Sequence, residues 1–206
     1  MDATYALVTQ QLEHIQKPIQ NEQAFKCLFT KRFPKGKNSK PHCYFFSEDQ
    51  EDLIISASYK NKKGTTYKMS LNSKQIKRKS LWYAGICSDI QTKKIFLGSF
   101  PNKPGSMAHA IRIDCNEENP QILLPPMNSE NFIFTDMPQE GTIPLASSKS
   151  NDIGNSENPN FISINIFNSN QPVLTIHQIA EDEFEVQISY PLTIFQAFCI
   201  ACVLTN

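Results

Sequence analysis

Glycine is scarce in this chain. The 7 glycines among 206 residues stand singly, so none can build a glycine-rich loop around a nucleotide phosphate. Long hydrophobic runs are missing as well; the closing one is well short of the roughly 20 apolar residues a membrane-spanning helix needs. The start, MDATYALVTQ, has neither a basic n-region nor a long apolar stretch, so no secretory leader is expected. No Asn-X-Ser/Thr acceptor occurs despite abundant Asn and Ser. The six cysteines, at 27, 43, 87, 115, 199 and 202, show no short framework spacing. Together these absences predict a reducing, intracellular setting.

One charge sign is nearly missing from half of the chain. Residues 106–206 carry 2 Lys/Arg against 12 Asp/Glu, whereas residues 1–105 carry 18 against 8, so a formal net charge of zero hides a +10/−10 split. The split either marks a basic face for an anionic partner or disappears because the two halves fold against each other.

What is present is β character in short pieces. Candidate strands fall at 26–33, 41–47, 52–59, 65–71, 80–88, 93–100, 107–115, 121–124, 131–137, 160–167, 172–179 and 183–189. Turn signals such as NKKG (61–64), PNKPG (101–105) and CNEENP (115–120) separate them, a spacing that suits a sandwich or a closed barrel. Residues 146–159, ASSKSNDIGNSENP, read as a long loop. Ahead of the strands, Val8, Leu12 and Ile15, and then Ile19, recur at helical spacing and predict a short helix over 5–17, in an arm over 1–25 before a domain over 26–206.

The chain closes on YPLTIFQAFCIACVLTN (190–206), where only Thr193 and Gln196 are polar between Leu192 and Leu204. Ser189 is a candidate cap and Pro191 suits the first turn of a helix over 191–204. A helix apolar on every side must be buried on every side. With about a dozen strands available, the economical solution is an antiparallel closed barrel filled by this helix.

These residues resemble a known family. IAEDEFEVQISYPLTIFQAFCIA (179–201), with its acidic AED-x-F step, YPL and QAFxIA, is similar to the end of a tubby-like domain. NFISINIF (160–167), ILLPPMN (122–128), KNKKGTTYKMSL (60–71) and YAGICSDIQTKKIF (83–96) resemble that family's segments in the same order, so the likeness runs from about residue 26 to the end. The resemblance implies a twelve-stranded barrel around a central hydrophobic helix. It also implies peripheral binding to phosphoinositides, chiefly phosphatidylinositol 4,5-bisphosphate, at the inner face of the plasma membrane. Some family members are linked to transcription, and others carry protein cargo. At the family's head-group positions this chain has Thr66 for an Asn, Ile86 and Ser88 for a Lys and an Arg, and Gly105, with Lys103 nearby, for a further Arg.

The candidate lipid-contacting residues are Lys60, Lys62, Lys63, Lys68, Lys77, Arg78 and Lys79 as phosphate-pairing cations, with Thr66 as a hydroxyl donor. Lys74 completes a set of eight cations around the turn at 60–68 and the connection at 74–79, expected together near one rim of the barrel. No catalytic group, metal or cofactor is expected. Cys199 and Cys202 have CxxC spacing but lie in the apolar helix, where thiols pack as small hydrophobes. His42 and Cys43 are strand neighbours that point to opposite faces. A nucleic-acid partner is disfavoured, because no recognition helix or repeated aromatic platform accompanies the basic stretch. The expected function is a non-enzymatic, anionic-membrane-binding adaptor or regulator. The alternative is a protein-interaction or transcription-associated module of the same fold, cytoplasmic or nuclear.

Overall fold

In the computed structural model of the chain, residues 2–20, 24–34, 41–61, 65–89, 94–101, 107–116, 120–126, 132–134, 140–150, 161–166, 169 and 172–205 are described. A helix, α1 (Ala3–Gln16), precedes twelve strands. The first six are β1 (Phe25–Arg32), β2 (His42–Ser47), β3 (Leu53–Asn61), β4 (Thr65–Ser70), β5 (Tyr83–Asp89) and β6 (Ile95–Pro101). The remaining six are β7 (Met107–Asp114), β8 (Gln121–Leu124), β9 (Ile143–Ser150), β10 (Phe161–Ile166), β11 (Pro172–Ala180) and β12 (Glu183–Ile188). A second helix, α2 (Ile194–Leu204), ends the described chain.

Every strand pairs antiparallel with its sequence neighbour, and β1 pairs with both β2 and β12, which closes the barrel. Closure leaves no free strand edge, an arrangement that removes the commonest route to strand-by-strand aggregation. Alternation sets the faces. In β12, Phe184, Val186 and Ile188 are buried while Glu183, Glu185 and Gln187 are exposed, as a period of two requires of a sheet with one dry side.

Two strand assignments differ from the sequence expectation. Segment 131–137 supplies no strand among its described residues, 132–134. It lies alongside β7 instead: Phe132 O accepts from His109 N–H at 2.8 Å, the Phe134 N–H donates to His109 Nδ1 at 2.9 Å, and the Phe134 ring stacks on the imidazole. The missing strand is β9, which takes up 146–150 of the expected loop and is bracketed by β8 and β10. Its sequence, IPLASSKS, has little apolar alternation, so only the neighbouring ladders make it a strand. Residues 151–159 of that loop lie outside the described residues.

Helix α2 is capped by Thr193 rather than Ser189 and starts at Ile194, and Pro191 lies ahead of it in a cis peptide bond with Tyr190. Thr193 Oγ1 accepts from the Gln196 N–H at 3.1 Å while Gln196 Oε1 accepts from the Thr193 N–H at 2.9 Å, a reciprocal capping box. Gln196 Nε2 also donates to Ala110 O of β7 at 2.8 Å. The two polar residues of the closing run are thus consumed where the helix would otherwise leave buried N–H groups unpaired.

All residues from Ile194 to Cys202 are buried. Phe198 packs on Phe29 of β1 and Phe45 of β2, with ring centroids 6.1 and 4.7 Å apart. All of these cysteines are free thiols: Cys199 is in hydrogen-bond contact with Cys87 of β5 and Cys202 with Cys43 of β2, and burial raises the pKa of both helix thiols, so they stay protonated. At the far end, Lys31 Nζ donates to Thr205 O and lies 5.4 Å from the centre of the Phe184 ring, a cation where the helix dipole is negative. Desolvation lowers the Lys31 pKa, partly offset by Cys43 and Asp182.

The arm is tied to the other end of α2. Ile19 N–H donates to Leu192 O at 2.9 Å, Pro18 forms a bridge with Thr193, and Val8 and Ile15 of α1 are buried in the common core.

Two glycines let α2 approach the sheet. At Gly85, with φ +153°, a Cβ would sit 2.6 Å from the Phe195 ring and 2.5 Å from Ser99 O. At Gly98 it would collide with Ile111 Cγ2 and lie 2.8 Å from Cys199 Sγ. Gly85→Ala and Gly98→Ala are each expected to destabilise the protein by about 2 kcal/mol. For a chain of this size that lowers the melting temperature by about 4–8 °C. Thermal denaturation followed by circular dichroism checks it; two unchanged transitions would show that α2 does not press on these strands.

Candidate functional site

In an up-and-down barrel, sequence order becomes position around the wall. Strands β1–β6 form one arc and β7–β12 the other, meeting only at the β1/β12 and β6/β7 seams. The basic and acidic halves of the chain therefore stay apart instead of folding onto each other. Mixed charge appears at a seam: a groove of about 220 Å³ across β11, β12 and β1 is lined by Lys26, Glu48, His177 and Glu185, among others. Its polar contacts are long, with the Lys26–Glu48 ion pair at 3.9 Å and His177 Nδ1 4.0 Å from Glu185 Oε2.

The basic arc is different. On its outer face, Lys60 of β3 pairs in register with Thr66 of β4, and Ser58 with Lys68; Thr66 in turn faces Ser88 of β5, and Lys68 faces Ile86. The Lys60 and Lys68 side chains meet, and Arg78 comes close enough to act on both Lys68 and the Tyr83 phenol. Desolvation first, then the like charges of Lys60 and Arg78, hold the Lys68 pKa below the usual lysine value. Burial pushes the Tyr83 phenol up, and Arg78 draws it back down. Among the described residues no carboxylate forms an ion pair with Lys60, Lys68 or Arg78.

How Arg78 arrives there corrects the single-rim expectation. In this meander the turn after Lys60 and the connection after Ser70 leave opposite ends of β4. The connection then folds back over the outer face. Ser70 Oγ donates to Trp82 O at 3.0 Å, Leu71 N–H donates to Trp82 O at 2.9 Å, and Ser56 Oγ donates to Ser70 O at 2.9 Å beneath them. The cluster thus sits on the flank of the barrel.

Of the eight residues singled out from sequence, Lys60, Thr66, Lys68 and Arg78 share this flank. Lys77 and Lys79 are exposed in the same connection, as is Lys74. Lys62 and Lys63 lie outside the described residues, as do Lys103 and Gly105. Ile86 is only 7% exposed beside Lys68. Sequence reasoning missed Ser58 and Tyr83. Strand alternation puts Ser58 on the face of Lys60, but Tyr83 joins only through the fold-back of Arg78.

The other candidate chemistry separates. His42 stacks on Tyr44 on the outer face, next in line to Phe46, with Arg32 over the Tyr44 and Phe46 rings. Cys43 is fully buried and faces α2. Among the described residues, no cluster of three or more His, Cys, Asp or Glu is placed to hold a metal ion, and no helix is long and apolar enough to cross a membrane. No family model matches the chain, and no curated protein matches it.

The arrangement concentrates positive charge beside hydroxyls, which suits a multivalent anion. Without one, Lys68 is a source of repulsion. Lys68→Met is therefore expected to raise the melting temperature at low salt. The gain should fade between about 0.01 and about 1 M salt, as the screening length falls from about 30 to about 3 Å. Differential scanning calorimetry across that range decides it; a lower melting temperature at low salt would mean that Lys68 is held by attraction.

Proposed function

We propose that this chain is a tubby-like module that binds a phosphoinositide head group, phosphatidylinositol 4,5-bisphosphate or a similar anionic lipid, and serves without catalysis as a membrane-tethered adaptor or regulator. The observation that carries the proposal is the convergence of Lys60, Lys68 and Arg78 on one flank, with no carboxylate among the described residues ion-paired to them. A polyphosphate head group would offset their mutual repulsion, and Thr66, Ser58 and Ser88 offer hydroxyls on the same rows. The acidic half lies on the opposite arc, so the chain would meet a negative bilayer with its basic side at the inner face of the plasma membrane. The in-order resemblance of residues 26–206 to tubby-like domains supports the same reading.

In this proposal α2 fills the barrel as its core. Support comes from its burial on all sides and from its contacts with β1, β2, β5, β6 and β7. Removing residues 191–206 is then expected to abolish the cooperative thermal transition and to cause aggregation. A truncated chain that stays soluble and melts cooperatively would refute the filling helix.

A second reading keeps the barrel and replaces the lipid with a protein partner, in the cytoplasm or the nucleus. It is favoured by Ile86, an apolar side chain beside Lys68 at a position where the family has a cation.

Co-sedimentation with phosphatidylcholine vesicles, with and without phosphatidylinositol 4,5-bisphosphate, separates the two readings. The protein should pellet only with the phosphoinositide. A Lys60→Ala, Lys68→Ala and Arg78→Ala triple variant should bind about 100-fold more weakly, at about 1 kcal/mol per cation. Absence of lipid dependence at low salt overturns the proposal in favour of the protein-binding alternative.

A further inference from the structure

The connection between β4 and β5 is held more firmly than a solvated loop requires. Lys74 N–H donates to Asn72 Oδ1 at 2.9 Å, Asn72 N–H to Ser70 Oγ at 3.1 Å and Ser80 N–H to Lys77 O at 2.9 Å. Trp82 N–H donates to Ser80 Oγ at 3.2 Å and Tyr83 N–H to Ser80 O at 3.1 Å. This pinned turn presents Lys77, Arg78 and Lys79 in a row and then Leu81, which is 43% exposed. Trp82 follows, half-buried and packed against the core.

A lone exposed leucine needs no explanation. One fixed next to three consecutive cations does, because its neighbours select its surroundings. Cations gather at anionic lipid head groups, and an apolar side chain held at that depth gains by entering the boundary with the acyl chains. Holding the turn rigid beforehand cuts the ordering cost of binding.

We propose that residues 71–82 form a membrane-inserting tip, in which Leu81 enters an anionic bilayer while Lys77 and Lys79 rest on lipid phosphates and Arg78 stays with the flank cluster. The inference rests on the membrane reading above and adds to it a second, apolar contact that a soluble head group cannot supply. The tip fixes which side of the barrel faces the lipid, leaving the acidic arc turned toward the cytosol.

Trp82 is the single tryptophan of the chain, so its fluorescence reports on this tip alone. With phosphatidylcholine vesicles containing phosphatidylinositol 4,5-bisphosphate, its emission should shift to the blue. Acyl chains brominated near the head group should quench it. Leu81→Ser should weaken vesicle binding about tenfold while leaving affinity for soluble inositol 1,4,5-trisphosphate, measured by titration calorimetry, unchanged. Vesicle binding with Trp82 unquenched, or with Leu81→Ser unimpaired, overturns the inserting tip and leaves the lipid proposal standing. The quenching arm uses the unmodified chain, so a variant that fails to fold does not remove the test. Failure of the unmodified protein to pellet with any vesicle overturns both.

Discussion

Everything else in this molecule depends on keeping one apolar helix dry without stranding its backbone. From Ile194 to Cys202 every residue of α2 is buried, so its first N–H groups cannot rely on solvent. Thr193 and Gln196 meet that need together, and Gln196 spends its amide on Ala110 as well. Close approach of the helix requires bare backbone at Gly85 and Gly98. Pairing of α1's trailing residues with Leu192 and Thr193 holds one end, and Lys31 on Thr205 holds the other.

The outer wall follows a different logic. A meander maps sequence order onto the circumference, so a charge imbalance along the chain becomes an imbalance around the barrel. On the basic arc this concentrates cations, and desolvation together with the like charges of Lys60 and Arg78 lowers the affinity of Lys68 for a proton. Such a cluster works against the fold when empty and in favour of it when an anion sits there, the trade-off expected of a binding site set on a stable scaffold. The thiols are arranged differently: Cys199 and Cys202 meet Cys87 and Cys43 of the wall and are held protonated by burial, while His42 and Cys43 face opposite sides of β2.

Much of the fold was legible. Period-two alternation marked most of the strands, because one face of each is dry and the other wet. β9 was not, since IPLASSKS carries almost no alternation and is made a strand by β8 and β10. Segment 131–137 erred in the other direction: its phenylalanines look like strand residues, but Phe132 and Phe134 pack beside His109. The helix cap slid from Ser189 to Thr193 because a reciprocal partner three residues on, Gln196, outweighs a favourable lone cap residue.

The candidate site divides the same way. Composition and local order alone determined that cations crowd residues 60–79, that the closing run must be buried, and that the chain favours short strands. Those properties depend on residue type and spacing, which are complete in the sequence. Only the tertiary structure decided that Lys60, Lys68 and Arg78 share a flank, that Tyr83 joins them, and that Leu81 stands out beside Lys77–Lys79. Such neighbours are set by strand register and by a connection folding back across a sheet, and both follow from the packing of the whole barrel.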